Sequence, residues 1–138
     1  MPELYELKPP SLIEIASQVK SQGVELFFQH RSRHAFFKFQ KAIQYLVLIN
    51  KEEQCSAEIL AKKKKLQDTL YCNMAGIHVQ QGNWEAAIDL CTIVLKNNPN
   101  YVKALFRRGK SLMEIQVRMN GLNVLTLTLL DSIRQSTF

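Results

Sequence analysis

The chain has 138 residues, which suits one domain, and 46% of them are hydrophobic, which excludes global disorder. Gly and Pro are scarce, at 5 and 4 residues, and this favours an all-α architecture over a β one. The net charge of +6 would suit an acidic partner, but we expect no nucleic-acid partner because no nucleic-acid motif accompanies it.

A first helical hairpin is predicted in the first third of the chain. Residues 1–10 form a lead-in segment in which a Pro pair should block helix formation. Ser11 and Glu14 have the spacing of a capping box that would begin the first helix. Apolar residues at helical spacing then predict two packed helices, which make one hairpin over about residues 11–49.

A second hairpin is predicted after a polar loop over residues 50–56. A long helix should run from about Ala57 to Gln81. It should end at Gly82, a residue that readily adopts the left-handed C-cap conformation, and Asn83 should cap the start of the next helix. The second hairpin therefore covers about residues 57–97.

A third unit begins after a turn but is incomplete. Its first helix should cover about residues 100–116, which ends the predicted core domain of residues 11–116. Residues 117–138 are rich in apolar and β-branched side chains and lack the polar outer face of a terminal cap. We interpret them as a degenerate or truncated C-terminal helix with an exposed apolar patch, a surface that would suit a homodimer.

Small residues recur at a fixed step along these helices. Ala75 and Gly109 are 34 residues apart, with Pro99 between them, and Gly23 has the same place in the first hairpin. A helix–turn–helix period of about 34 with a Pro near its end is the tetratricopeptide signature. The sequence therefore predicts an all-α, right-handed superhelical solenoid of about three repeats, the last one degenerate, with a groove that binds proteins.

Three segments resemble the tetratricopeptide domain of the large immunophilins, the tacrolimus-binding and cyclophilin types of co-chaperone. They are Val19–Phe27, Asn73–Ala75 and Lys103–Gly109. The elongated third helix also fits this family, whereas the isomerase domain that normally precedes the repeats is missing from this sequence. The resemblance implies a non-catalytic module that binds the acidic C-terminal tail of the 90-kDa or 70-kDa heat-shock chaperones.

The resemblance also implies a carboxylate clamp, which in that family consists of two Lys, two Asn and one Arg. The matching positions in this chain are Lys20, Asn73, Lys103 and Arg107. Lys and Arg would donate charge-assisted hydrogen bonds to the tail carboxylates, and Asn would add a neutral donor. Val24 stands where the other Asn would be and cannot donate, so we expect tail binding to be weaker by about 1 kcal/mol.

Two other functional classes are alternatives to a module that binds chaperone tails. A general tetratricopeptide scaffold would use the groove for another partner, with the clamp only partly functional, and Val24 favours it. An enzyme is not expected, because the sequence has no nucleophile–base pair, no Gly-rich phosphate loop and no carboxylate dyad at useful spacing.

The remaining predictions concern metals, cofactors, membranes and location. Cys55, Cys72 and Cys91 match no metal-ligand spacing, so we expect reduced thiols, of which Cys72 and Cys91 lie on apolar faces. We expect no metal and no cofactor. No apolar run reaches the length of a membrane span, and no signal peptide is recognisable, so a cytoplasmic location is predicted, with the nucleus as an alternative.

Overall fold

The computed structural model describes residues 7–49 and 55–136, which form five helices and no strand. The helices are α1 (Pro9–Phe28), α2 (Ser32–Val47), α3 (Ala57–Gln81), α4 (Trp84–Asn97) and α5 (Val102–Ser136). The predicted all-α architecture is confirmed. Most of the predicted lead-in segment and most of the loop before α3 lie outside the described residues.

Helix α1 begins earlier than the sequence predicted. Its N-cap residue is Lys8, whose side chain makes no capping hydrogen bond, and Pro9 and Pro10 occupy the first helical positions. A Pro is tolerated there because the first turn needs no N–H donor and the ring already sets φ to a helical value. The backbone N–H of Ser11 donates to the carbonyl of Lys8 at 3.0 Å, so the predicted capping box at Ser11 is wrong.

Each of the first two hairpins closes through a tight turn with one left-handed residue. His30 takes this role between α1 and α2, with φ 60°. Gly82 does so between α3 and α4, with φ 77°, and its predicted place as the C-cap of α3 is confirmed. Asn83 stands at the N-cap of α4, but its side chain makes no capping bond.

Helix α3 lies between two apolar cores. The first core joins α1, α2 and one side of α3, and its buried residues are Leu12, Ala16, Val19, Ala35, Phe39, Ala42, Leu46, Ile49, Leu66, Leu70, Met74 and Ile77. The second core joins the other side of α3 to α4 and to the start of α5 through Cys72, Ala75, Cys91, Val94, Leu95 and Ala104. Packing on both sides of α3 therefore fixes the two hairpins relative to each other.

Helix α5 continues without a break to Ser136, so the predicted helix end near residue 116 is wrong. No proline interrupts this range, and the hydroxyls of Thr126 and Thr128 each donate to the carbonyl four residues earlier at 2.8 Å. The guanidinium of Arg118 lies 5.8 Å from the ring centre of Trp84, a cation–π contact that ties α5 to α4.

The exposed apolar surface predicted for the C-terminal segment is confirmed. In the part of α5 beyond residue 116, nine large apolar side chains are exposed to solvent: Val117, Met119, Leu122, Val124, Leu125, Leu127, Leu129, Leu130 and Ile133. They are exposed because no second helix of a third hairpin turns back along α5 within the described residues. The third repeat is therefore open, as its degenerate sequence predicted.

The repeated small residue is tightly packed in the first hairpin and unpacked in the third. A Cβ atom added at Gly23 would lie 2.6 Å from Cε1 of Phe39, and Ala75 is fully buried at the equivalent position. A Cβ atom added at Gly109 would meet nothing within 4 Å. The close helix crossing that calls for a small residue is thus present in the first hairpin and absent in the third.

Substituting these two equivalent glycines by alanine should have opposite effects on stability. Gly23→Ala should lower the free energy of unfolding by about 1–2 kcal/mol, because overpacking against the buried Phe39 ring exceeds the gain in helix propensity. Gly109→Ala should raise it by about 0.5–1 kcal/mol, because only helix propensity changes. Urea denaturation of both variants checks this, and a shift of the same sign in both would contradict the packing described.

Candidate functional site

A cavity of about 430 Å³ runs along the side of the molecule where α1, α3 and α5 come together. The structure places all four predicted clamp residues in its wall: Lys20 from α1, Asn73 from α3, and Lys103 and Arg107 from α5. Residues that are far apart in the sequence are thus brought to one site. We call this cavity and its walls the groove.

Most of the groove wall comes from the first helix of each predicted repeat unit. The other lining residues are Val24, Phe27 and Phe28 of α1, Phe39 of α2, Thr69, Gly76 and Val79 of α3, and Phe106 and Lys110 of α5. No residue of α4 contributes, because α4 packs on the far side of α3, in the second core. This division of roles matches the pattern expected for a helical-repeat solenoid.

Helix α5 presents a row of cations to the groove. Lys103 and Arg107 are four residues apart, and Lys110 follows three residues later, so all three lie on one face of the helix. Lys110 was not predicted as a site residue, although its spacing of seven from Lys103 would have identified it. Together with Lys20 they make four cations, and no Asp or Glu lines this cavity in the described part of the chain, so the groove favours an anionic ligand.

The half-buried side chain of Arg107 is fixed against α3. Its Nη1 donates to the backbone carbonyl of Cys72 at 2.6 Å and lies 3.1 Å from the Sγ atom of the same residue. A carbonyl within a helix normally accepts only from the N–H four residues later, so this contact uses its second lone pair. The guanidinium is therefore held at the floor of the groove and does not extend freely into solvent.

Gly76 makes this position of Arg107 sterically possible. A Cβ atom added at Gly76 would lie 2.9 Å from Cζ and 3.1 Å from Nη2 of Arg107, closer than ordinary van der Waals contact. The guanidinium thus rests against the backbone of α3 where a side chain is absent. Sequence analysis did not identify Gly76, because a glycine inside a helix signals only a cost of about 1 kcal/mol in helix propensity.

The groove wall also contains apolar side chains. Val24, at the position where the resemblance implied an Asn, is half-buried and packs against the first core. Phe28 of α1 and Phe106 of α5 are 76% and 69% exposed, although large aromatic side chains are more often buried. The groove therefore combines the cations of α5 and Lys20 of α1 with apolar side chains of α1 and Phe106 of α5, an arrangement that can hold a peptide carrying both carboxylates and an apolar side chain.

The two buried cysteines of the second core are not poised for chemistry. Cys72 and Cys91 are buried, as predicted, and burial raises the pKa of both thiols, that of Cys91 to about 11, while Arg107 opposes the shift. A neutral buried thiol is a poor nucleophile.

Within residues 7–49 and 55–136, no group of three His, Cys, Asp or Glu residues is placed to hold a metal ion. No helix in these ranges combines the length and apolar character needed to cross a membrane.

Comparisons with known proteins agree with this reading of the fold. No protein-family model matches the chain. The human peptidyl-prolyl cis-trans isomerase FKBP4 is 28% identical over 109 residues, which is 79% of this chain and 23% of that protein. The Hsp70/Hsp90 co-chaperone CNS1 of Saccharomyces cerevisiae is 26% identical over 111 residues, which is 80% of this chain and 24% of that protein. The chain thus spans about a quarter of the length of these two relatives.

A solved structure is similar to this chain over most of its length. It is the C-terminal TPR-containing domain of an FK506-binding protein from Plasmodium falciparum, with a TM-score of 0.73 and 27% sequence identity. The match covers 82% of this chain and 74% of the other. The chain has the fold of a tetratricopeptide domain and is similar to those of the FK506-binding immunophilins, as its sequence predicted.

Alkaline pH should destabilise the fold through Cys91. Burial raises its native pKa to about 11, whereas the unfolded thiol ionises near its ordinary value of about 8.5. The stabilising effect of keeping the thiol neutral is therefore complete below about pH 8.5 and is lost as the pH rises through about 11. In urea denaturation at several pH values, Cys91→Ala should flatten this decline.

Val94→Ala is the matched control for that experiment. Val94 is fully buried in the same core and carries no proton, so its truncation should lower stability at every pH and leave the alkaline slope intact. Equal slopes for Cys91→Ala and the unsubstituted protein would show that the thiol does not set the alkaline decline.

Proposed function

We propose that this domain is a non-catalytic interaction module that binds the acidic C-terminal tail of a heat-shock chaperone in its groove. The observation that carries the proposal is the meeting of Lys20, Asn73, Lys103 and Arg107 in the wall of one cavity. The similarity to FKBP4 and to a protein named as an Hsp70/Hsp90 co-chaperone supports a partner of this class.

The groove residues would divide the recognition of such a tail between charge and apolar contact. A C-terminal Asp offers two carboxylates, which accept charge-assisted hydrogen bonds from the cations of α1 and α5 and a neutral one from Asn73. Arg107 has further N–H groups beyond the one that contacts Cys72, so it can donate to a carboxylate while it stays seated on α3. An apolar residue next to that Asp would pack against Val24 and the exposed Phe rings.

A general scaffold that binds a different partner is the second candidate function, and Val24 is the observation that favours it. Val24 contributes no hydrogen bond, and its side chain is committed to the first core. A partner without a terminal carboxylate would then use mainly the apolar side chains of the groove. A pull-down in which Arg107→Ala keeps every partner would support this scaffold.

We propose no catalytic role for this chain, although FKBP4 is named as a peptidyl-prolyl isomerase. The chain spans only 23% of the human protein. The buried thiols of Cys72 and Cys91 in the second core are held neutral, which disfavours nucleophilic chemistry. Prolyl-isomerase turnover by this chain would overturn the non-catalytic assignment.

We also propose a cytoplasmic location, where chaperone tails are available.

Isothermal titration with a short peptide ending in Glu-Glu-Val-Asp tests the proposed function. Lys103→Glu should weaken binding by about 10- to 100-fold, because a charged hydrogen bond is lost and a like charge is added. Lys96→Glu makes the same change in net charge on exposed α4, away from the groove, and should leave the affinity within about twofold at moderate salt. No binding by the unsubstituted protein, or equal weakening by both variants, would contradict the proposal.

Gly76→Ala should separate binding from stability. The new methyl group would push the guanidinium of Arg107 away from its seat, so we expect peptide affinity to fall by about tenfold. The fold should tolerate the change, because a flexible side chain can move and alanine favours the helix. Gly109→Ala is the matched control, since its methyl group meets nothing, and it should bind like the unsubstituted protein. Equal affinity for all three proteins would exclude a role for the seated Arg107.

A further inference from the structure

The groove has different chemistry at its two ends. As in other tetratricopeptide domains, α1, α3 and α5 are the first helices of successive units and point in roughly the same direction. The first residues that these helices contribute to the groove wall are polar or cationic, namely Lys20, Thr69 and Lys103. The last residues that they contribute are Phe28, Val79 and Lys110. Lys110 is therefore a cation beside apolar side chains, at the end of the groove away from Lys20.

Lys110 lies beyond the four clamp residues along α5. At a rise of 1.5 Å per residue, it is about 10.5 Å past Lys103 and about 4.5 Å past Arg107, so it lies about 7.5 Å past the midpoint of that pair. An extended peptide advances by about 3.3 Å per residue. When the terminal residue of a tail is held between Lys103 and Arg107, Lys110 is thus level with the residue about two or three positions before it.

The shape of the groove indicates that a tail would leave the clamp towards Lys110. Past Lys20 and Thr69, the groove adjoins a smaller cavity of about 250 Å³, whose wall includes Lys62 and Lys65. Most of the groove itself lies in the other direction, because its remaining lining residues mainly follow the clamp residue of their own helix. These are Val24, Phe27 and Phe28 after Lys20, Gly76 and Val79 after Asn73, and Lys110 after Arg107. A tail that ends at the clamp therefore has room for its preceding residues on the Lys110 side.

The ammonium group of Lys110 is available to a ligand. The side chain is exposed, and within residues 7–49 and 55–136 it makes no ion pair or hydrogen bond. Glu114, one turn further along α5, lines a neighbouring shallow cavity together with Lys110, but its carboxylate does not come within 4.0 Å of the ammonium. Lys110 thus has a different state from Arg107, whose guanidinium already donates to Cys72.

We propose that Lys110 binds an acidic side chain of the tail two or three residues before the terminal one. This inference rests on the proposed function, because the terminal carboxylate at the clamp sets the register of the peptide. The tail would then be held at two points, and the second contact fixes the direction in which it lies along α5. A peptide that ends in a carboxylate but has no upstream acid satisfies only the clamp, so Lys110 determines specificity among such tails.

A double-mutant cycle by isothermal titration at low salt tests this contact. The two peptides are Glu-Glu-Val-Asp and Gln-Gln-Val-Asp, which share the terminal carboxylate and differ only in the upstream charges. The unsubstituted protein should prefer the first peptide by about three- to tenfold, the range for an exposed charge pair. Lys110→Gln should reduce this preference to less than about twofold, because the partner of the upstream acid is lost. Lys110→Arg keeps the charge and should keep the preference.

Lys65→Gln is the matched control, because it removes one exposed cation from the cavity at the other end of the groove. It should leave the preference for Glu-Glu-Val-Asp intact. If Lys65→Gln removes the preference and Lys110→Gln does not, the tail leaves the clamp in the opposite direction and the inference is overturned. A preference that neither variant changes also overturns it, while weakening by Lys103→Glu would leave the proposed function standing. Absence of binding to the unsubstituted protein would contradict both.

Discussion

Helix α3 is packed on two of its sides, and the groove depends on that double packing. One side of α3 completes the core of α1 and α2, and the other completes the core of α4 and α5. The third side remains open and carries Thr69, Asn73 and Gly76 to the groove. Because α3 belongs to both cores, the distance between Lys20 on α1 and Arg107 on α5 is fixed by apolar burial. The charges themselves repel one another and would not assemble without this scaffold.

The contact between Arg107 and the backbone of α3 shows how the scaffold prepares a cation for an anionic ligand. A free Arg loses side-chain entropy when it binds, whereas a guanidinium that already rests on Gly76 and donates to Cys72 has lost much of it on folding. The glycine inside α3 thus has a local cost in helix stability and a benefit at the groove. The three helical glycines thus differ in what lies beside them. Gly76 leaves room for the guanidinium of Arg107, and Gly23 leaves room for the Phe39 ring in the core. No atom of the chain lies within 4 Å of a Cβ atom added at Gly109.

The sequence alone predicted the helices correctly where local signals and packing agree. The bounds of α3 follow from a polar stretch of sequence before it and Gly82 after it, and the helical period identified its inner face. The clamp residues came from a resemblance, and their proximity in the groove could not have been derived from helix patterns alone. Lys110 was within reach of the same spacing argument but was not identified. Gly76 could not be identified by any spacing argument, because its role depends on a side chain 31 residues later in the chain.

Both errors in the prediction placed a helix boundary where the chain continues as helix. A Pro pair suggested a block where the first turn of α1 tolerates it, and a recurring small residue suggested a hairpin where α5 continues straight. In α5 the repeat pattern specifies two faces that should pack, but no Pro or tight turn breaks the helix between them. The helix therefore continues through the repeat pattern, and the apolar faces remain open.

The central claim is that the groove recognises a terminal carboxylate, and a comparison of two peptides tests it most directly. The same Glu-Glu-Val-Asp peptide would be titrated into the unsubstituted protein with a free C-terminus and with an amidated one. The arrangement of Lys20, Asn73, Lys103 and Arg107 predicts that amidation weakens binding by about tenfold or more, because the terminal charge and its hydrogen bonds are lost. Equal affinity for the two peptides would contradict the claim and leave the groove without a function in carboxylate recognition.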